Sequence, residues 1–271
     1  MYIGRKNIKM LPQHIITNTN YAHGGRFGNN FFTGMALHFI SEKNRLRNGY
    51  KDYDQLQKLG IELYIGEYMY PETVELKDDN FFRFITGDIL WKNITIVNNV
   101  WCQTTEFAHY LRNYFHTHQD KKNRILEHNL FKDRYQNNQD VFVHVRLGDI
   151  YSRHFSQPYE YYENALNQIT FENGYISSDT IDHPICTKII EKYNLKPIQY
   201  DEVETIMFAS TCKNVILSTG TFSWMIGLFS YFSHVFYPKI YVPWHGDIFV
   251  FEDWKEIDYP SPSTEIQQNT N

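Results

Sequence analysis

From Val141 onward, short β-branched or apolar runs alternate with stretches of helical period, and this constrains the fold more than anything else in the 271-residue chain. "VFVHVRL" (Val141 to Leu147), "GYISS" (Gly174 to Ser178), "PIQY" (Pro197 to Tyr200), "NVILS" (Asn214 to Ser218) and "HVFYP" (His234 to Pro238) read as strands. Between them lie four helical stretches. In "PYEYYENALNQI", Pro158 suits the first turn and Tyr162, Ala165, Leu166 and Ile169 share a face. Pro184 can open "PICTKIIEKY", and Asp201 and Glu204 stand at capping-box spacing in "DEVETIMFAS". "TFSWMIGLFSYF", Thr221 to Phe232, is apolar on nearly every side, as a helix enclosed by neighbours would be. Strands joined through helices pair in parallel and need cover on both faces. The expectation is an α/β protein with a doubly wound, mostly parallel sheet over residues 138–260.

The first half is less regular. A helix over Asn30 to Ser41 carries Phe32, Met35, Ala36, Phe39 and Ile40 on one stripe; another over Thr104 to Phe115 carries Phe107, Ala108, Leu111, Tyr114 and Phe115. Strands are expected at "IELYIG" and "NITIV". The polar stretch "HTHQDKKNRILEHNLFKDRYQNNQD" puts a boundary near Gln136 to Gln139, dividing an N-terminal lobe (1–137) from the sheet domain (138–260), with "PSPSTEIQQNTN" ending in a disordered tail (261–271).

Composition narrows the function. With 42% hydrophobic and 17% aromatic residues the chain can bury a core without staples. A net charge of -5 gives no general attraction to nucleic acid or anionic membrane, so a polyanion must be met by a local cluster of donors. Cys102, Cys186 and Cys212 are odd in number and lack ligand spacing, which reads as three buried small hydrophobes. No stretch approaches a bilayer span and "MYIGRKNIKMLPQH" has no apolar core, so a soluble, cytoplasmic protein is expected; on the same ground Asn93-Ile94-Thr95 reads as a chance sequon. Oligomeric state is not legible.

The polar residues that stand out lie at element ends. "HVRLGD" closes the first strand of the sheet, with His144 and Arg146 on one side by alternation. Ligands of doubly wound sheets gather at such carboxyl ends. An Arg offers a fork of donors to phosphate, Gly148 permits a close turn, and the competing reading is an Arg paired with Asp149 or another carboxylate. "STGTFSW", Ser218 to Trp224, joins a strand to a helix through a hydroxyl-rich turn, where free amides and the helix dipole receive phosphate, or where Thr219 or Thr221 merely caps. "SSDT", Ser177 to Thr180, ends the second strand and offers hydrogen-bonding groups to a base or ribose, or is simply a loop. "HGGRFGNNFF", His23 to Phe32, is a Gly-rich approach to the first helix.

Taken in order, "GGRFGNN", "HVRLGD", "SSDT" and "STGTFSW" resemble the motifs of the α-1,2-fucosyltransferases, with the α-1,6- and protein O-fucosyltransferases as more distant relatives. "HVRLGD" looks like that family's H-x-R-x-G-D, "SSDT" like F-S-D-D and "STGTFSW" like S-N-S-T-F-S-W-W. The resemblance implies a two-lobed glycosyltransferase of the GT-B type that uses GDP-fucose, without a cofactor or metal, to modify a carbohydrate acceptor entering between the lobes. It implies that Arg146 holds the diphosphate and His144 lies against nucleotide or phosphate. Ser218, Thr221, Phe222 and Ser223 would surround phosphate, Ser178 and Asp179 would meet guanine or ribose, and Asn29 would reach across the cleft from a loop shaped by Arg26 and Gly28. The sequence departs from the family at Leu147, where many members carry a second Arg, and at Thr180, Gly220 and Met225.

Fucosyl transfer passes through an oxocarbenium-like transition state while negative charge grows on the departing diphosphate. Arg146, Asn29 and the helix following Gly220 can supply donors to that charge. "DYD", Asp52 to Asp54, lies in a polar segment with no buried strand and reads as a solvated loop rather than a metal site. For the general base, Asp149 and Glu106 are weak candidates, Asp149 being better suited to orienting Arg146. Two other readings stay open: a transferase using another GDP-sugar or a protein hydroxyl, and a non-catalytic nucleotide- or glycan-binding protein.

Overall fold

The computed structural model describes residues 26–96, 99–151, 156–240 and 247–260. The expected tail at 261–271, and His23 to Gly25 of the first motif, lie outside the described residues.

The first half is built of α1 (Phe27–Asn44), α2 (Tyr53–Lys58), β1 (Thr73–Leu76), α3 (Phe81–Thr86), β2 (Asn93–Ile96), α4 (Thr105–Thr117) and α5 (Gln119–His128). α1 is buried on most of its circumference, and Thr104 caps α4 by accepting the Phe107 N–H. The first four residues of "NITIV" form β2, which pairs in parallel with β1; Val97 lies outside the described residues. "IELYIG" is not a strand: it crosses the end of α1, where the Gly66 N–H bonds the Leu46 carbonyl and a Cβ on Gly66 would strike the Arg45 and Leu46 carbonyls.

The second half holds β3 (Val141–Val145), α6 (Gly148–Tyr151), α7 (Tyr159–Leu166), β4 (Gly174–Ser178), α8 (Pro184–Tyr193), β5 (Lys196–Pro197), α9 (Glu202–Ala209), β6 (Asn214–Ile216), α10 (Thr221–Phe229), β7 (His234–Pro238) and β8 (Lys255–Ile257). These strands form one parallel sheet in the order β5-β4-β3-β6-β7-β8. With β3 counted as the first strand, this is the 3-2-1-4-5-6 order of a doubly wound nucleotide-binding sheet, whose switch point falls between β3 and β6. The α/β expectation holds. β8 escaped notice because it is a three-residue edge strand, two of whose residues are charged. β5 (Lys196–Pro197) covers only the start of "PIQY", with the Ile198 N–H making one more bond to the Ile176 carbonyl at 2.9 Å.

Alternation along β3 sorts the core. Val141, Val143 and Val145 pack with Tyr161, Tyr162, Ile176 and Ile189 on one face. Phe142 faces the other way into a larger core shared with Phe31, Phe32 and Met35 of α1, Phe107 of α4 and Trp224 of α10. Residues before and after position 138 therefore share that core. The polar stretch ahead of β3 is stapled to the sheet: Arg134 pairs with buried Asp140 at 2.7 Å, and Asn138 Nδ2 donates to the Arg134 and Thr211 carbonyls. Cys102, Cys186 and Cys212 are all buried and unbridged.

Candidate functional site

At the carboxyl end of β3 the chain turns sharply through Leu147 and Gly148. Asp179, just past β4, closes this turn by accepting the Leu147 N–H at 2.9 Å. A Cβ on Gly148 would lie 2.4 Å from Asp179 Oδ2, so a larger residue there would push that carboxylate out of its place. The Leu147 side chain is buried in the core, and Arg146 is left to face a cleft of about 450 Å³.

Four charged side chains interlock at the mouth of that cleft. Arg146 Nη2 donates to Asp149 Oδ1 at 2.5 Å and its Nε lies 3.2 Å from Asp179 Oδ2. The Nε contact is a charge pairing without good hydrogen-bond alignment. Arg26, preceding α1, brings a second guanidinium to the same carboxylates, 3.2 Å from Asp149 and 3.5 Å from Asp179. Burial pulls the Asp149 carboxyl upward, but the hydrogen bond and charge of Arg146, with the charge of Arg26, outweigh it and hold the group below the usual carboxylate range. The anticipated competing role of Arg146, pairing with carboxylates, is thus present, and the two Arg and two Asp balance in charge.

His144 is buried apart from a small surface on the cleft, and burial, aided by the Arg146 charge and opposed by Asp179, pushes its pKa down to about 4. Its Nδ1 lies 2.5 Å from Ser223 Oγ, which also accepts the Ser218 N–H at 3.0 Å. A hydroxyl oxygen has a second lone pair, so this contact holds the neutral imidazole in place in either tautomer.

The opposite wall comes from two helix starts. The GRFGN segment is not a loop before α1: α1 begins at Phe27, so Gly28 and Asn29 lie in its first turn and Arg26 is its N-cap. Gly28 sits against α10, where a Cβ would lie 2.5 Å from the Phe222 N and 2.6 Å from Thr221 Oγ1. Asn29 Oδ1 accepts from Thr221 Oγ1 at 2.8 Å and from Gln103 Nε2 at 3.1 Å, tying the two helix starts to the segment before α4. α10 has no side-chain cap; Gly220 precedes it at φ +101°, a conformation that suits glycine, and neither Thr219 nor Thr221 caps the helix. Its first-turn amides therefore face the junction with the dipole behind them.

Of the residues expected at the site, Arg26, Gly28, His144, Arg146, Ser178, Asp179 and Phe222 line the cleft. Asn29, Thr221 and Ser223 stand behind them as struts whose side-chain oxygens are engaged by protein partners. Ser218 is fully buried, its hydroxyl donating to Gln157 Oε1 at 2.9 Å, so it supports the turn rather than lining the cleft. Asp149 belongs to the charged mouth. Trp224 and Met225 are core residues, which makes the departure at Met225 a matter of packing. Asp52 accepts from Asn30 Nδ2 at 2.7 Å and precedes α2, with Asp54 in that helix rather than in a loop.

No protein-family model, curated protein or solved structure matches the chain.

The sequence reading missed the far end of the cleft. Tyr200 and Asp201, ahead of α9, and Glu202 and Thr205, on it, line it together with Ser177 and Phe27. Asp201, expected as a helix cap, does cap α9 by accepting the Glu204 N–H at 2.8 Å. Gln157 was also missed, although it gathers Ser218 Oγ, Thr219 N and Thr219 Oγ1 on one oxygen; nothing in a lone Gln ahead of Pro158 signals that role. No helix among the described residues is long and apolar enough to cross a membrane.

Proposed function

We propose that the chain is an inverting glycosyltransferase that moves fucose from GDP-fucose to a hydroxyl of a carbohydrate acceptor, forming an α-1,2 linkage, and that it works in the cytoplasm. The observation that carries this reading is the convergence, at the switch point of a doubly wound sheet, of Arg146, Arg26, a neutral His144 and the start of α10 on one cleft. Such a convergence suits a nucleotide diphosphate. The motif resemblance supplies the sugar and the base.

In this reading the diphosphate takes the place that Asp149 holds on the two guanidinium groups, while Asp179 stays. Asp149, with 47% of its side chain exposed, is the partner free to swing away, whereas Asp179 is tied to the Leu147 amide. Arg26 supplies a second positive charge where Leu147 leaves a gap in the family pattern. As the bond from the anomeric carbon to the diphosphate opens, charge grows on the leaving oxygen, and preorganised donors lower that barrier without further reorganisation. The Arg146 fork and the first-turn amides of α10 are those donors, with the His144 ring beside them. They come from the protein alone, which favours a metal-independent reaction; activity lost to chelator and restored by manganese would overturn that part.

A GT-B-like arrangement belongs to this reading, with α1 and its neighbours as the acceptor-side wall and the β3–β8 sheet as the donor side. The shared core around Phe31, Phe142 and Trp224 makes the two walls close-packed rather than loosely hinged. The test is a donor screen read by thermal shift and by GDP release, repeated on Arg146→Ala. GDP-fucose should stabilise and turn over in the presence of acceptor glycans, with both effects lost in the variant. Stabilisation by another nucleotide in place of GDP would refute the donor, and GDP binding without any turnover would favour a non-catalytic binding protein.

A further inference from the structure

We propose that Glu202 and Tyr200 form the base subsite of the cleft and select a purine bearing two adjacent N–H donors, namely guanine. This rests on the GDP-sugar reading above and assigns its base specificity. The phosphate-facing groups lie at the ends of β3 and β6, while Tyr200 and Glu202 lie beyond β5 on the same cleft. From β3 to β5 is two strand intervals, about 10 Å. That is the scale of a ribose and its phosphate linkage, so a nucleotide held at Arg146 delivers its base to this end.

What waits there is an aromatic face and a carboxylate. Tyr200 is 40% exposed, its ring backed by Phe131 and Phe208 at centroid distances of 5.3 and 5.5 Å, which fixes it as a stacking surface. Glu202, the first residue of α9, has no hydrogen-bond or ion-pair partner among the described residues and lines the cleft. A free carboxylate only accepts; its two oxygens match the N1–H and exocyclic N2 amine of guanine. Adenine presents an acceptor at N1 and hypoxanthine lacks the second amine, so both leave a carboxylate oxygen unmatched. The nearby carboxylates are already engaged, Asp201 in capping α9 and Asp179 in holding the Leu147 amide and both arginines.

Calorimetric titration of the intact protein with GDP, inosine diphosphate and ADP tests this. Wild type should bind GDP about tenfold more tightly than inosine diphosphate, and ADP more weakly still. Glu202→Gln should lose about tenfold in GDP affinity while inosine diphosphate changes much less. Tyr200→Ala should weaken all three alike, because stacking is tolerant of base identity. Glu202 is an exposed first-turn residue, and an unchanged melting temperature would verify that the fold is kept. If wild type binds GDP and Glu202→Gln keeps both its affinity and its preference over inosine diphosphate, the inference falls while the donor reading stands. If wild type binds no GDP, both fall.

Discussion

Replacing Gly28 by Ala probes the junction on which the cleft depends. In the first turn of an exposed helix this exchange normally stabilises by about 0.5–1 kcal/mol, because Ala loses less backbone freedom on folding. Here the new methyl would lie 2.5 Å from the Phe222 amide nitrogen and 2.7 Å from the Thr221 carbonyl carbon, both backbone atoms that no rotamer change can clear. Overpacking of this kind costs about 1–3 kcal/mol, so a net loss of about 2 kcal/mol is expected, or about 5 °C in melting temperature for a chain of this size. Gly34, on the same helix, is the internal control: its Cβ would meet nothing closer than Leu56 Cδ1 at 3.9 Å. Gly34→Ala should raise stability by about 1 kcal/mol. The pair is read by urea unfolding with a common slope and by thermal scans. Opposite signs support the close approach of α1 to α10. A Gly28→Ala protein as stable as Gly34→Ala would refute the argument that Gly28 is set by that contact.

Asn29→Ala removes the oxygen shared by Thr221 and Gln103, so it should cost about 1–3 kcal/mol of stability as well as weakening GDP binding. Unfolding curves with and without GDP separate the two effects, and no change in either would return Asn29 to an ordinary first-turn residue. Acid should destabilise the protein early. Burial pushes both His144 and His38 down to about 4, below the ordinary 6.5, and the Lys121 charge assists at His38. Between those values the unfolded chain takes up protons that the folded chain refuses, so stability is fully present above pH 6.5 and falls as the pH drops toward 4, by about 3 kcal/mol per histidine. A stability profile flat from pH 7 to 4.5 would contradict the buried, neutral assignment.

The sheet was legible because β3, β4, β6 and β7 are short, β-branched or apolar, and separated by helices with clear punctuation: Pro184 opens α8 and Asp201 caps α9 as their chemistry dictates. Edge elements were not, since β1 and β8 are charged and pair on one side only, so neither needs an apolar run. At the site, residue type and strand end sufficed to bring His144, Arg146 and Asp179 together. Their partners were not readable, because the Arg26–Asp149 pair spans 123 positions and exists only once α1 lies against the sheet. The hydroxyls of Ser218, Thr221 and Ser223 looked like ligands in sequence and proved to be struts, a difference set by burial. Tyr200 and Glu202 gave no signal, as one Tyr among 21 and one acid beside a helix cap are unremarkable until the fold places them on a cleft.

The most direct test of the account is the response of the protein to GDP. At a concentration one hundred times the dissociation constant, a ligand that binds only the folded state stabilises it by about 2.7 kcal/mol. The account predicts that GDP and GDP-fucose give such a shift, that Arg146→Ala abolishes it, and that radiolabelled fucose passes from the donor to a glycan acceptor. Absence of any shift with millimolar GDP or GDP-fucose, from a protein shown to be folded, would contradict it.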